Sequence, residues 1–396
     1  MKVYLKPIVS SFHDDDRIDQ TTSEFNDALE KNLLNLGIEV KNEEEADLTI
    51  YYIKSGGTEN LFKSEFEPQD INLLLTTTMH NSLPAALEIH SYLTDLEYNV
   101  EILHGNPKYI ANRVYTFAKV MEAKRKLKVD KLGVIGAPSD WLIASNVDYE
   151  RIKDILGVEL IDIPLEEFYK IWEEFKHLSA STPYDNEEEV KSYNQEKVKE
   201  SNRIYKALKV IINKYGLTAL TLRCFDLVNR GCGTGCLALS YLNSEGIISG
   251  CEGDIPAAIS MLVLNRLTDQ PVFMSNPSRI DLEKNTVLFA HCTLPWNMTE
   301  DRELDTHFET GLGIGVRGYI EKGDVTVFKV GRNVDQYFVS SGEQLKAGNE
   351  DVLCRTQMTI ELANDVNYFL KNPLGNHHLI CKGEYSELIE EFFENL

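Results

Sequence analysis

The feature that most constrains the fold is an alternation, along most of the chain, of short apolar runs with helix-length amphipathic segments. "MKVYLKPIV", "DLTIYYI", "INLLLTT" and "VEILHG" read as strands. Between them, a helix over residues 22–36 would place Phe25, Leu29 and Leu33 on one face. A second helix starts near "SLPAALEIH", where Pro84 suits a first turn, and a third spans 107–128. Strands that alternate with helices predict a parallel sheet covered on both faces.

A second unit of this kind opens at "DKLGVIGAPSDWLIAS", where the apolar residues 132–135 run into a Gly-Ala-Pro-Ser-Asp turn. "ELIDIP" reads as a strand and 165–175 as a helix, and a polar stretch over 178–190 leads into a long helix over 188–215. "LTALTLRCF", "GIISGC", "PVFMSN" and "NTVLFAHC" read as further strands, with an amphipathic helix over 255–267 among them. After residue 310, short β-rich runs broken by Gly-Asp, Gly-Arg and Ser-Gly pairs predict an antiparallel barrel or sandwich. The chain then closes with "NPLGNHHLICKGEYSELIEEFFENL", a loop and then a helix. The expected architecture is α/β, with Rossmann-like parallel-sheet domains at 1–128 and 129–310 and a small β-rich, barrel-like domain at 311–396. With 396 residues, 43% of them hydrophobic, the chain can bury more than one core.

Net charge narrows the partners. With 63 acidic against 40 basic residues and a formal charge of −23, the chain repels phosphate backbones and anionic lipid surfaces. Nucleic acid and membrane are therefore not expected partners. The seven cysteines, none before Cys224, form an odd and uneven set that reads as free thiols in a reducing compartment. The N-terminus is too polar for a signal peptide, so a cytoplasmic protein is expected.

Several motifs could carry chemistry. "GAPSDW" sits between a strand and a helix, where open α/β sheets bind ligands, but lacks the further glycines of a dinucleotide fingerprint; a structural turn is favoured there over the alternative of a substrate loop. Cys232 and Cys236 are spaced C-x3-C without histidine neighbours, so they read as small core residues before a zinc cluster. His13, His80, His90, His104, His177 and His307 stand alone. In "GCEGDIPAAIS", Glu252 and Asp254 lie between an apolar run and an apolar helix; Asp254 precedes Ile255-Pro256 and reads first as a helix N-cap. Glu252, Asn276, His291 and the pair His377-His378 follow one another at separate strand ends or loops. Such a mixed oxygen and nitrogen shell suits Mn²⁺ or a similar divalent ion, with Mg²⁺ and Co²⁺ as alternatives.

At these residues the sequence resembles the L-fucose isomerase and L-arabinose isomerase superfamily, most clearly in "GCEGDIPAAISMLVLNRLTDQPVF", with support from "NTVLFAHC" and "GNHHLICKGEY". The resemblance implies an aldose–ketose isomerase that works through a cis-enediol on a divalent metal, takes a sugar as its partner and forms a homo-oligomer. It places the metal on Glu252, Asn276, His291 and a histidine of the C-terminal pair, with His378 favoured over His377. The chain departs from the family pattern where a second acid is expected, because "PVFMSNPSRID" offers Ser275 or Asn276 there. An amide can ligate through oxygen but cannot take a proton as a carboxylate does.

The catalytic candidates are therefore Glu252, as base and ligand combined, with Asp254 or Asp281 standing in for the missing acid. Asp281 reads equally well as a turn residue. Arg279, His377 and Ser275 are the expected substrate contacts, Arg279 being either a neutraliser of a substrate anion or a solvated loop charge. The amide at 276 leaves two other readings open: a metal-assisted lyase or epimerase, and a sugar-binding protein without catalysis.

Overall fold

In the computed structural model, which describes residues 1–11, 15–177 and 180–396, the chain divides into two compact units. One comprises Met1–Glu122 with Glu391–Leu396, the other Ala123–Glu390. His13 lies outside the described residues. No helix among them is long and apolar enough to cross a membrane.

The first unit is built on strands β1 (Lys2–Ile8), β2 (Glu39–Val40), β3 (Leu48–Ile53), β4 (Asn72–Thr76) and β5 (Val100–Leu103). All are parallel, in the order β2-β1-β3-β4-β5. Helices α1 (Asp15–Asn35), α2 (Glu59–Glu65) and α3 (Ser82–Asp95) lie between them, and α4 (Pro107–Leu127) follows β5. β3 and β4 are almost wholly buried, which is why they read as unbroken apolar runs.

The second unit repeats the plan with β6 (Lys131–Ile135), β7 (Glu159–Ile163), β8 (Ala219–Leu222) and β9 (Ile248–Cys251), parallel in the order β7-β6-β8-β9. Its helices are α5 (Tyr149–Leu156), α6 (Leu165–Glu174), α7 (Glu188–Ser192), α8 (Gln195–Tyr215), α9 (Cys224–Asn229), α10 (Cys236–Ser244) and α11 (Ile255–Thr268). The long helix expected over 188–215 is interrupted, because Asn194 leaves helical geometry and accepts the Glu196 and Lys197 N–H groups as the cap of α8.

A closed antiparallel barrel completes this unit. In chain order its strands are β10 (Phe273–Asp281), β11 (Thr286–His291), then, after the hairpin of β12 (Arg302–Asp305) and β13 (Gly315–Gly318), β14 (Gly323–Val330), β15 (Tyr337–Ala347), β16 (Thr356–Leu362) and β17 (His378–Lys382). Around the barrel the order is β10-β11-β16-β15-β14-β17. The short α12 (Tyr368–Lys371) lies between β16 and β17, and α13 (Ser386–Glu394) follows.

Three expectations change here. "PVFMSN" and "NTVLFAHC" join the barrel instead of the parallel sheet; β11 is buried along its whole length, so its apolar run looks like that of a parallel strand. "HHLICK", expected in a loop, supplies β17, which pairs with β10 and β14. Helix α11 is buried on almost every side, instead of amphipathic, because it packs on β8 and β9 as well as on β14 and β17.

Candidate metal centre

Parallel strands leave their carboxyl ends on one edge of a sheet, and the loops there converge. β9 ends at Cys251, and Glu252 and Gly253 then both take left-handed backbone, with φ of 62° and 71°. The chain reverses there into α11. Only glycine fits at 253, since a Cβ would lie 2.2 Å from the Ala137 carbonyl oxygen of the loop after β6. That same loop, "GAPSDW", fastens Glu252 from above. The Ser139 N–H donates to the Glu252 carbonyl at 2.9 Å, and Trp141 Nε1–H donates to Glu252 Oε2 at 2.7 Å. The loop read as a structural turn is thus one wall of the site.

Two imidazoles face the other carboxylate oxygen. His291, at the end of β11, places Nε2 3.9 Å from Glu252 Oε1, and His377, just before β17, places Nε2 3.5 Å from it. Each ring is fixed through its other nitrogen: His291 Nδ1 lies 2.8 Å from Thr293 Oγ1, and His377 Nδ1–H donates to Asp254 Oδ2 at 2.8 Å. The ligating atoms of Glu252, His291 and His377 all lie within 4.8 Å of one another, so the three could hold a metal ion. Two bonds of about 2.1 Å at 90° to 180° to each other put donor atoms roughly 3.0–4.2 Å apart, which brackets the two measured separations.

Orphaned polar atoms mark the same place. His377 Nε2 and Asn276 Oδ1 are buried and have no hydrogen-bond partner. Each would cost about 1–3 kcal/mol if nothing ever satisfied it. Asn276, Glu252, His291 and Trp141 line a pocket of about 360 Å³, together with Phe225, His307, Glu309, Asn376 and the thiols of Cys236, Cys251, Cys292 and Cys354. All seven cysteines are free and six are buried, as small core residues would be.

The electrostatics keep the carboxylates ionised. Burial would raise Glu252, but the His291 and His377 imidazoles outweigh it and hold the group well below the usual carboxylate range. Asp254 is likewise held low against burial by Lys329, His377 and the Ala257 N–H. Burial pushes His291 down despite Glu252, whereas Asp254 and Glu252 overcome burial at His377 and raise it to about 9. His307, read as an isolated histidine, is held neutral by burial and the nearby His291, at about 4. Its Nδ1 sits 3.0 Å from Thr310 Oγ1 and its ring packs against Phe225.

Of the residues singled out from sequence, the structure gathers Glu252, Asp254, Asn276, His291 and His377. Asp254 does two things: Oδ1 caps α11 by accepting from the Ala257 N–H at 2.9 Å, and Oδ2 orients His377. His378, the favoured ligand, is not in the cluster. Successive residues of an extended chain point to opposite sides, so His378 turns into an aromatic nest of Phe338, Tyr368 and Phe369. There its Nδ1–H donates to the Asn376 carbonyl, the Tyr368 hydroxyl lies 3.0 Å from Nε2, and burial pushes it down to about 3. Ser275 is buried and donates to the His378 carbonyl, tying β10 to β17. Arg279 forms a bidentate ion pair with Glu350, both exposed, and Asp281 accepts from the Glu283 and Lys284 N–H groups in the β10–β11 turn. Both line a different cavity. Sequence reasoning passed over Trp141, His307 and Glu309, although the position of Trp141 after a parallel strand was a usable signal.

No family model matches the chain. It is similar to a sulfoquinovose isomerase of Alkalicoccus urumqiensis, 26% identical over 328 residues that cover 79% of this chain and 70% of that protein. A sulfoquinovose isomerase of Priestia aryabhattai is also 26% identical, over 300 residues, 72% of this chain and 67% of the relative. One from Clostridium sp. (strain MSTE9) is 32% identical over 149 residues, 34% of this chain and 32% of its own. These relatives are sugar isomerases by name, and the similarity supports an enzyme of that class here.

Proposed function

We propose that the protein is a divalent-metal-dependent aldose–ketose isomerase whose metal is held by Glu252, His291 and His377, with the Asn276 amide oxygen as a further donor. The observation that carries this reading is the orphaned His377 Nε2, buried and aimed at Glu252 while Asp254 fixes the opposite side of its ring. A carboxylate, two imidazoles and an amide suit Mn²⁺, with Mg²⁺ and Co²⁺ as alternatives. When bound, the metal supplies charge that polarises a substrate carbonyl and acidifies the neighbouring hydroxyl.

The chain's own residues then have distinct tasks. The two histidines hold the Glu252 carboxylate ionised, and Trp141 helps to fix its orientation. Isomerisation through a cis-enediol needs a proton removed at one carbon and returned at the next. Glu252 is the base in this reading, and the second carboxylate on the pocket wall is Glu309, an exposed residue beside the neutral His307. Asp254 is a positioning residue that acts through His377, and Asp281 has no part. A sugar is the substrate, and sulfoquinovose is the first to test because the relatives are named for it. A cytoplasmic homo-oligomer belongs to the same reading.

The test is to load the protein with Mn²⁺ and follow a panel of aldoses, sulfoquinovose included, by NMR in D₂O. Ketose formation with deuterium entering at the carbon next to the carbonyl is expected, and Glu252→Gln abolishes it. Cleavage products, or no conversion of any sugar by the metal-loaded protein, would overturn the proposal.

A further inference from the structure

A second cavity, of about 500 Å³, adjoins the metal pocket, and Trp141 and Asn376 line both. Its wall holds Lys329, from β14, and Arg332, from the turn between β14 and β15. Lys329 is 1% exposed, and its side-chain ammonium makes no hydrogen bond or ion pair among the described residues. A buried ammonium without a partner costs several kcal/mol of lost hydration, so such a group calls for a counter-charge. The carboxylate that acts on it is Asp254, which Lys329 helps to keep ionised but does not contact, and whose two oxygens accept from the Ala257 N–H and His377. Asp335, the other acid on this wall, sits 4.0 Å from Arg151. Arg332 is exposed and has no ion pair among the described residues. The charges left uncommitted in this cavity are both positive.

We propose that this cavity is an anion subsite, in which Lys329 and Arg332 bind a negatively charged substituent carried by the sugar at the end remote from its carbonyl. The proposal rests on the isomerase reading for the position of the reacting end. It deepens that reading by assigning the substrate class, a sugar bearing a fixed oxyanion. Sulfonate, phosphate and carboxylate share the chemistry that a lysine and an arginine recognise. Neutral ends of the same length would leave the Lys329 ammonium without a direct partner, with only the Asp254 charge, shared with His377, to offset its burial, which is how the cavity would discriminate against them.

The experiment compares sulfoquinovose, glucose 6-phosphate, glucuronate and uncharged glucose on the Mn²⁺-loaded protein, both by calorimetric binding and by turnover. Wild type is expected to prefer at least one anionic sugar over glucose, and the sugar that ranks first identifies the oxyanion. In Lys329→Met the ratio of anionic to neutral affinity is expected to fall about 10–100-fold, the usual effect of losing a charge-assisted contact. Arg332→Gln, on an exposed turn, is expected to lower the same ratio and decides the matter if Lys329→Met does not fold. Equal binding of all four sugars by wild type, or a ratio unchanged in the folded variants, overturns the subsite. Charge-selective binding without turnover would overturn the isomerase reading and leave the subsite standing.

Discussion

Asp254 performs two jobs with two oxygens, and Asp254→Asn separates them. The carbonyl of asparagine can still accept the Ala257 N–H, now met by Oδ1 at 2.9 Å, and asparagine caps helices about as well as aspartate. Helix α11 should therefore survive. The amide NH₂ would replace Oδ2, which lies 2.8 Å from His377 Nδ1. A donor then faces that nitrogen, so the ring must carry its proton on Nε2, the atom that lies 3.5 Å from Glu252 Oε1. A metal can bind there only after the tautomer is reversed against two opposed donors.

Losing a hydrogen bond to a charged group costs about 1.5–3 kcal/mol, or roughly 10- to 150-fold in affinity. That agrees with the about 10- to 100-fold usually lost when a carboxylate behind a metal-bound histidine is removed. The assay is Mn²⁺ titration followed by the electron paramagnetic resonance of the free ion, with far-ultraviolet circular dichroism as the control for folding. We expect Kd to rise by tens of fold with the helical signal unchanged. Asp254→Ala should add the loss of the cap, about 1 kcal/mol of stability. A Kd within twofold of wild type in Asp254→Asn would refute the reasoning and leave Asp254 as a helix cap alone.

Three further outcomes are expected. Gly253→Ala forces a Cβ to within 2.2 Å of the Ala137 oxygen at a φ of 71°, so it should cost about 2 kcal/mol or more, lowering Tm and metal affinity together; a normal melting curve would refute the close approach. His377 is raised to about 9 in the metal-free protein, so its contribution is complete below its ordinary value of 6.5 and is lost as pH rises to about 9. Metal-free protein should accordingly lose up to about 3 kcal/mol across that window while Mn²⁺ affinity rises with pH; urea unfolding and metal titration at several pH values test both slopes. Glu309→Gln should lower kcat by about 100-fold or more with little change in Mn²⁺ affinity, measured by steady-state kinetics beside metal titration; unchanged kcat would remove Glu309 from the proton transfer.

How far the site could be read from sequence depended on what fixes each side chain. Glu252 and His291 were legible because each directly follows or ends an apolar run, and strand ends are where side chains converge. The choice between His377 and His378 was not legible. It turns on β17 beginning at His378 and pairing with β10, a long-range registration that no local pattern reveals. Arg279 and Asp281 were misplaced for a related reason. They are near Asn276 in sequence, but β10 carries them past a bulge at Pro277–Arg279 to the far, exposed end of the strand. Every parallel strand except the two-residue β2 was legible as a short apolar run between helices, although two barrel strands were read into the second sheet as well. The barrel was recognised only over β14 to β16, where glycine-containing pairs separate short β-rich runs; the runs of β10 and β11 were read with the parallel sheet, and β17 as a loop.

Replacement of an acid by Asn276 looked, in the sequence, like a broken catalytic pair. In the folded chain the amide oxygen is buried, unpaired and on the wall of the pocket that holds Glu252 and His291. A carboxylate there would add a second negative charge beside Glu252, which already relies on two imidazoles to remain ionised. In the proposed site the amide would offer a metal an oxygen without that repulsion. A proton carrier can then come from a different part of the chain, and Glu309 approaches the same pocket from the turn between β12 and β13. Ligation and proton transfer, which a pair of acids at one place would share, can thus be divided between two segments. In the proposed isomerase, that division would keep a second negative charge off the metal side while Lys329 and Arg332 stand in the neighbouring cavity to meet the charge of the substrate.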